Sequence, residues 1–102
     1  MSFEYHEARP LLICTKANIS IQGSSSHYCS PRAYLDNIQE YDNVEIALFE
    51  KSGDWIQPRD CDLLENFKGL TELIENYEEG HTAVGYHIPI NLVNDLVTYL
   101  NK

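Results

Sequence analysis

The alternation of hydrophobic and polar positions predicts a sheet built mainly from the first half of the chain. Residues 11–16 form a short, largely apolar run without alternation, which predicts a central strand covered on both faces. Residues 18–22 alternate and predict a half-exposed strand, which pairs with the first run in an antiparallel hairpin over 11–29. A strand at 44–49 and, after a turn, a short strand at 55–56 complete the predicted hairpins.

Apolar residues at three- and four-residue spacing predict helices, mostly in the second half. The longest predicted helix spans 60–79, and Gly69 in its middle predicts a kink or a break into two helices. A strand at 82–88 and a last helix from Pro89 follow. A short helix is predicted at 30–37, because its opening Ser-Pro pair is typical of a capped first turn. The last helix is expected to bury Leu92, Val93, Leu96, Val97 and Leu100.

These elements predict an α+β fold. We expect a mostly antiparallel sheet of about four or five strands, with two main helices packed on one face. The length of 102 residues is typical of one domain, so residues 1–102 are predicted to form a single compact α+β domain. Two aromatic positions carry further expectations. Trp55 is expected in the core, and a helix is expected to cross the strand face that carries His87.

The apolar content sets the class of protein. No run approaches the roughly 20 apolar residues that span a bilayer, and no signal peptide is recognisable, so the sequence predicts a cytoplasmic protein without a membrane partner. The three cysteines form neither a disulfide framework nor a zinc-ribbon pattern, and we expect reduced thiols. The oligomeric state is left open.

Charge is the feature that changes this picture most. The formal net charge is −9, and residues 36–79 hold thirteen acids and three bases, whereas residues 1–35 and 80–102 are nearly balanced. Such a chain repels nucleic acid and attracts cationic surfaces. We therefore expect no direct nucleic-acid binding and a basic protein as the partner.

Motifs for enzymatic chemistry are missing from the sequence. It contains no Walker loop, GxGxxG, HExxH, GxSxG or EF-hand pattern. Cys29 near a predicted helix start is the nearest candidate for a nucleophile, but the spacing gives no evidence that a histidine such as His81 or His87 reaches it as a base. We therefore predict a non-enzymatic protein without a catalytic residue, a metal site or a cofactor.

The segment 25–32 offers an alternative function. Backbone amides at the predicted helix start, together with serines and an arginine, are typical of a site that holds a phosphate or a carboxylate. A small-ligand site, for a nucleotide or another anion, would use Ser25, Ser26, His27, Tyr28, Ser30 and Arg32. An ordinary Ser-Pro helix cap explains the same residues without a ligand.

The predicted 60–79 helix places a row of carboxylates opposite its apolar stripe. The residues predicted to bind the partner are Glu65, Glu72, Glu75 and Glu79, supported by Asp42, Glu45 and Asp54. Residues 65–79 would rise about 21 Å, over which duplex DNA carries about twelve phosphate charges. Four glutamates are about a third of that density, so the earlier acids must lie on the same side for the chain to imitate DNA. A solvated helix face explains the row equally well.

We therefore expect an acidic binding protein that inhibits or sequesters a basic, nucleic-acid-handling protein. In size and charge the chain resembles phage anti-restriction and anti-CRISPR inhibitors and the bacterial immunity proteins that neutralise nuclease toxins; the likeness is one of class and covers no motif. Small-ligand binding through residues 25–32 is the alternative.

Overall fold

The computed structural model describes residues 9–80 and 82–102, and within them four strands form one antiparallel sheet. The strands lie side by side in chain order: β1 (Leu12–Ile13), β2 (Asn18–Gln22), β3 (Asn43–Phe49) and β4 (Gly85–Pro89). The α-helices are α1 (Leu70–Glu75) and α2 (Ile90–Leu100), and single 3-10 turns occur at Ile38–Glu40, Pro58–Asp60 and Asp62–Leu64. The predicted α+β class with an antiparallel sheet is confirmed.

Of the two main helices predicted, only α2 is long. It begins directly after Pro89, which has no amide hydrogen to leave unpaired at a helix start. Its buried residues recur at helical spacing, so the predicted buried face is confirmed apart from Val97, which is partly buried: Leu92, Val93, Leu96 and Leu100. Among the described residues, no helix has the length and apolarity needed to cross a membrane.

β3 is the centre of the core and is buried on both faces. Val44, Ile46 and Leu48 lie in the main apolar cluster with the buried residues of α2. On the opposite face of β3, Glu45 and Ala47 are also buried, and Glu45 pairs with the buried Gln22 of β2. Gln22 exchanges two hydrogen bonds with the main chain of Arg9, at 2.8 and 2.9 Å, which satisfies its buried amide.

The apolar run at 11–16 does not form a central strand. β1 contains two residues and stands first in the strand order, and Ile13 is 64% exposed. Leu12 and Ile13 are exposed at the sheet edge, whereas Cys14 turns into the core. The short strand predicted at 55–56 is reduced to one bridge between Phe49 and Trp55, and Trp55 is only partly buried.

The helix predicted at 30–37 is also absent, and the segment is a loop. The hydroxyl of the buried Tyr41 organises it by donating to the carbonyl of Ala33 at 2.6 Å and accepting from the amide of Leu35 at 2.8 Å. Ser30 pairs with Asn43 at the start of β3. These tertiary bonds replace the hydrogen bonds that a helix would have formed.

The helix predicted at 60–79 is broken, with only α1 remaining as α-helix. The helix α1 begins directly after Gly69, where the sequence predicted a kink or a break. The residues before Gly69 form 3-10 turns and not the second helix that a break would leave. A Cβ on Gly69 would overlap the side chain of Leu92, so α2 packs directly on the backbone at this position. The prediction that the carboxylates form a row along one straight helix is therefore wrong.

Candidate functional site

The acidic side chains of the described residues lie almost entirely at the surface. Thirteen of them are exposed, and across residues 9–80 and 82–102 a single ion pair is present, between Arg59 and Glu79 at 3.7 Å. Both partners of this pair are exposed, so the pair contributes little to stability. Apart from Glu79, the exposed acids of the middle section thus have no cation within 4 Å in the part of the chain that the structure describes.

Three of the seven lysine and arginine residues are engaged elsewhere in the fold. Lys51 donates to the carbonyl of Cys14 at 2.6 Å, and Lys16 donates to the carbonyl of Lys102 at 2.7 Å. Arg9 donates to several main-chain carbonyls and lies 4.5 Å from the ring centroid of Tyr34. Because these cations bond to main-chain oxygens and rings, they do not neutralise the carboxylates.

The four glutamates predicted to bind a partner fall into separate local settings. Glu72 and Glu75 are exposed and three residues apart on α1, so they share one face of that short helix. Glu65 is exposed just after the Asp62–Leu64 turn, and Glu79 follows α1. The structure thus brings together one pair of the four on a common helix face.

The three supporting acids do not share a surface. Glu45 is 6% exposed, and its carboxylate accepts the amide hydrogen of Tyr28 at 3.0 Å, so it cannot present its charge to a partner. Asp42 precedes β3, whereas Asp54 is bonded to Glu50 just beyond the other end. Because β3 is extended, Asp42 and the turn that holds Asp54 are roughly 25 Å apart.

A shallow acidic groove lies beside Trp55. It has a volume of about 380 Å³ and is lined by Trp55, Gln57, Arg59, Asp60, Glu79 and Gly80. A second depression of about 370 Å³, which shares Glu79 and Gly80, adds Glu78, Thr82 and Ala83. The amide of Gln57 donates to the carbonyl of Gly80 at 3.2 Å and holds the two walls together. Asp60, Glu78 and Glu79 therefore converge here, with Arg59 as the cation among the lining residues.

The segment 25–32 does not have the geometry proposed for anion capture. The helix whose amides were to hold the anion is absent, so that mechanism is wrong. His27 is buried, and its Nδ1 lies 2.7 Å from the hydroxyl oxygen of Ser24. Ser25, Ser26, Tyr28 and Arg32 are exposed, and Ser30 is partly buried. Small-ligand binding by these residues stays a prediction.

Cys29 has a structural environment. It is 1% exposed, and its thiol donates toward the carbonyl oxygens of Ser24 and Pro31 at 3.3 Å. Within the part of the chain that the structure describes, no three His, Cys, Asp or Glu residues are grouped closely enough to hold a metal ion.

An exposed aromatic cluster joins this segment to β4. It consists of Tyr28, Tyr86 and His87, whose ring centroids are 6.0 to 6.5 Å apart. The alternation at 82–88 does not predict Tyr86 and His87 on one surface, and the helix expected to cross His87 is not there, because His87 is exposed. The two side chains share a surface because β4 contains a bulge, and the sequence pattern does not reveal this bulge.

No protein-family model, curated protein or solved structure matches the chain. Its function is therefore inferred from its own residues. The two features that bear on function are the uncompensated acidic surface and the exposed aromatic cluster.

Proposed function

We propose that the protein binds the cationic surface of a basic, nucleic-acid-handling protein and blocks it. The observation that carries the proposal is the separation of charges within the fold. Twelve of the thirteen exposed acids have no cation within 4 Å among the described residues, while Arg9, Lys16 and Lys51 donate to main-chain carbonyls.

A soluble surface normally mixes both signs of charge. Leaving carboxylates unpaired costs stability through their mutual repulsion, and that repulsion is relieved when a cationic partner binds. The acidic field also steers a positively charged partner and raises the rate of encounter. This favours a binding role over a merely solubilising one.

The proposed contact surface is no longer the predicted row of carboxylates on one helix but a surface with two parts. Glu72 and Glu75 on α1 form one part, and the groove with Asp60, Glu78 and Glu79 forms the other. The Pro58–Asp60 turn packs against α1, which joins the two parts. Glu45 is excluded because it is buried, and Asp42 and Asp54 lie at opposite ends of β3.

The direct test is affinity capture followed by a competition assay. The tagged protein is used to retain proteins from a lysate of the source cells at low salt, and each retained protein is identified and purified. We expect a protein with an excess of surface lysine and arginine, whose affinity for nucleic acid falls as the acidic protein is added in increasing amounts. A retained protein that binds nucleic acid equally well in its presence would contradict the proposal.

A further inference from the structure

We infer that the aromatic cluster of Tyr28, Tyr86 and His87 is the anchor for an arginine side chain of the basic partner. This inference rests on the proposed function and adds the contact that fixes the complex. Tyr28 is 50% exposed, Tyr86 is 36% exposed, and His87 is exposed. Exposed tyrosines held on a rigid frame are typical of the residues that dominate binding energy at interfaces.

The rings meet edge to face and leave ring surface open. Tyr28 and Tyr86 are inclined at 62° with centroids 6.0 Å apart, and Tyr86 and His87 are inclined at 85° with centroids 6.5 Å apart. Edge-to-face packing leaves part of a ring's electron-rich face uncovered, and a guanidinium binds to such a face within about 6 Å of the centroid. The cluster thus offers surfaces suited to an arginine.

A bulge in β4 places both residues of that strand on the surface. Val44 pairs with Ile88 and Ile46 pairs with Gly85, so Tyr86 and His87 together oppose the single residue Glu45. His87 has φ of +53°, a left-handed conformation that is costly for a residue with a side chain. The regular alternation is broken there, and consecutive side chains become exposed.

Hydrogen bonds hold the cluster in place. The amide of His87 donates to the carbonyl of Tyr28 at 3.1 Å, and Nδ1 of His87 lies 2.9 Å from the side-chain oxygen of Asn43. On the other side, the buried carboxylate of Glu45 accepts the Tyr28 amide hydrogen at 3.0 Å. A main chain and an imidazole ring fixed in this way lose little conformational entropy when the cluster binds a partner.

The surroundings of the cluster favour a cation. Asp42 is exposed next to Asn43, and its amide donates to the carbonyl of Ser30 at 2.9 Å. The amide of Tyr86 donates to the carbonyl of Asn76 at 3.0 Å, which places Tyr86 beside the end of α1 that carries Glu75. The cluster therefore has Asp42 near one end and Glu75, which belongs to the proposed contact surface, near the other.

Arginine fits the cluster better than lysine. Its planar guanidinium is more weakly hydrated than an ammonium group and stacks on aromatic rings. The chain itself provides an example, since the guanidinium carbon of Arg32 lies 5.5 Å from the ring centroid of Tyr28. Because Arg32 already covers part of Tyr28, the surface left for a partner's arginine is that of Tyr86, His87 and the rest of the Tyr28 ring. A second copy of the chain is a poorer occupant, because it brings another net charge of −9 to the same surface.

The test compares two labelled peptides, nona-arginine and nona-lysine, by fluorescence anisotropy at several salt concentrations. We expect the protein to bind nona-arginine about five- to tenfold more tightly than nona-lysine. Y28A/Y86A is expected to lose this preference, whereas Y28F/Y86F keeps the rings and is expected to retain it. Equal affinity of the unaltered protein for the two peptides would count against the cluster even if the alanine variant folds poorly.

Tyr34→Ala is the matched control, because Tyr34 is a tyrosine of similar exposure, 54%, outside the cluster. It is expected to leave the preference for arginine unchanged. Salt-dependent binding of both peptides with equal affinity would overturn the inference and leave the proposed function standing. Absence of salt-dependent binding to either peptide would overturn both. Self-association that Y28A/Y86A abolishes would assign the cluster to a second copy and also overturn the inference.

Discussion

Two regions of the molecule differ in how they are built and in how much charge they expose. β2, β3, β4 and α2 bury a continuous apolar cluster and hold their register by main-chain pairing. The section from 50 to 80 consists of short turns around α1, with its acids exposed and one ion pair among the described residues. The second region also contributes Leu64, Phe67 and Leu73 to the apolar cluster, but its exposed acids carry most of the charge, so core substitutions and acid substitutions are expected to have separable effects.

The largest effect is expected from a core substitution in the first region. Leu96 is fully buried on α2, so Leu96→Ala removes buried methyl groups and leaves a cavity. The expected loss is about 2–5 kcal/mol of unfolding free energy, measured by urea denaturation. A loss below about 1 kcal/mol, typical of a surface position, would contradict the assignment of α2 to the core.

A smaller effect is expected where a buried polar group connects the core to the aromatic cluster. Glu45→Ala leaves the Tyr28 amide without its acceptor and is expected to cost about 1–3 kcal/mol. Glu45→Gln keeps a carbonyl acceptor and serves as the control, with a smaller loss in the same denaturation experiment. Equal losses for the two variants would show that the hydrogen bond to Tyr28 is not what Glu45 contributes.

The smallest effect on folding is expected in the acidic section. E72Q/E75Q removes two like charges that face the same way on α1, and it is expected to stabilise the fold slightly, by less than about 0.5 kcal/mol. Because salt screens the same repulsion, the wild-type thermal midpoint should rise with ionic strength more than that of the variant. A destabilised variant would mean that these carboxylates support the fold.

The sequence predicted the regions in which local pattern and tertiary structure agree. Pro89 and the apolar spacing after it fix α2, and the alternation from Val44 fixes β3. The 60–79 helix failed because Leu92 packs on Gly69, and successive 3-10 turns bury Leu64 and Phe67 at a spacing that also suits a helix. That contact with α2 is tertiary and leaves no local signal.

The candidate site was predictable only in part. The concentration of acids and their exposure follow from composition, whereas their distribution over separate surfaces depends on where the chain turns. The aromatic cluster depends on the left-handed backbone conformation of His87, which the sequence does not indicate because the residue is not a glycine. Glu45 could not be separated from the exposed acids, since alternation along β3 suggested a solvated face that is in fact buried.

If the proposed function is right, binding depends on where the carboxylates lie and not only on how many there are. Affinity for the captured basic protein is measured against salt for the wild type, for E72Q/E75Q and for D95K, whose exposed Asp95 lies on α2 outside the acidic section. Both variants are two units less negative than the wild type. We expect weaker binding and a shallower salt dependence for E72Q/E75Q, with D95K close to wild type. Equal changes in the two variants would contradict this expectation, because net charge alone would then explain the binding.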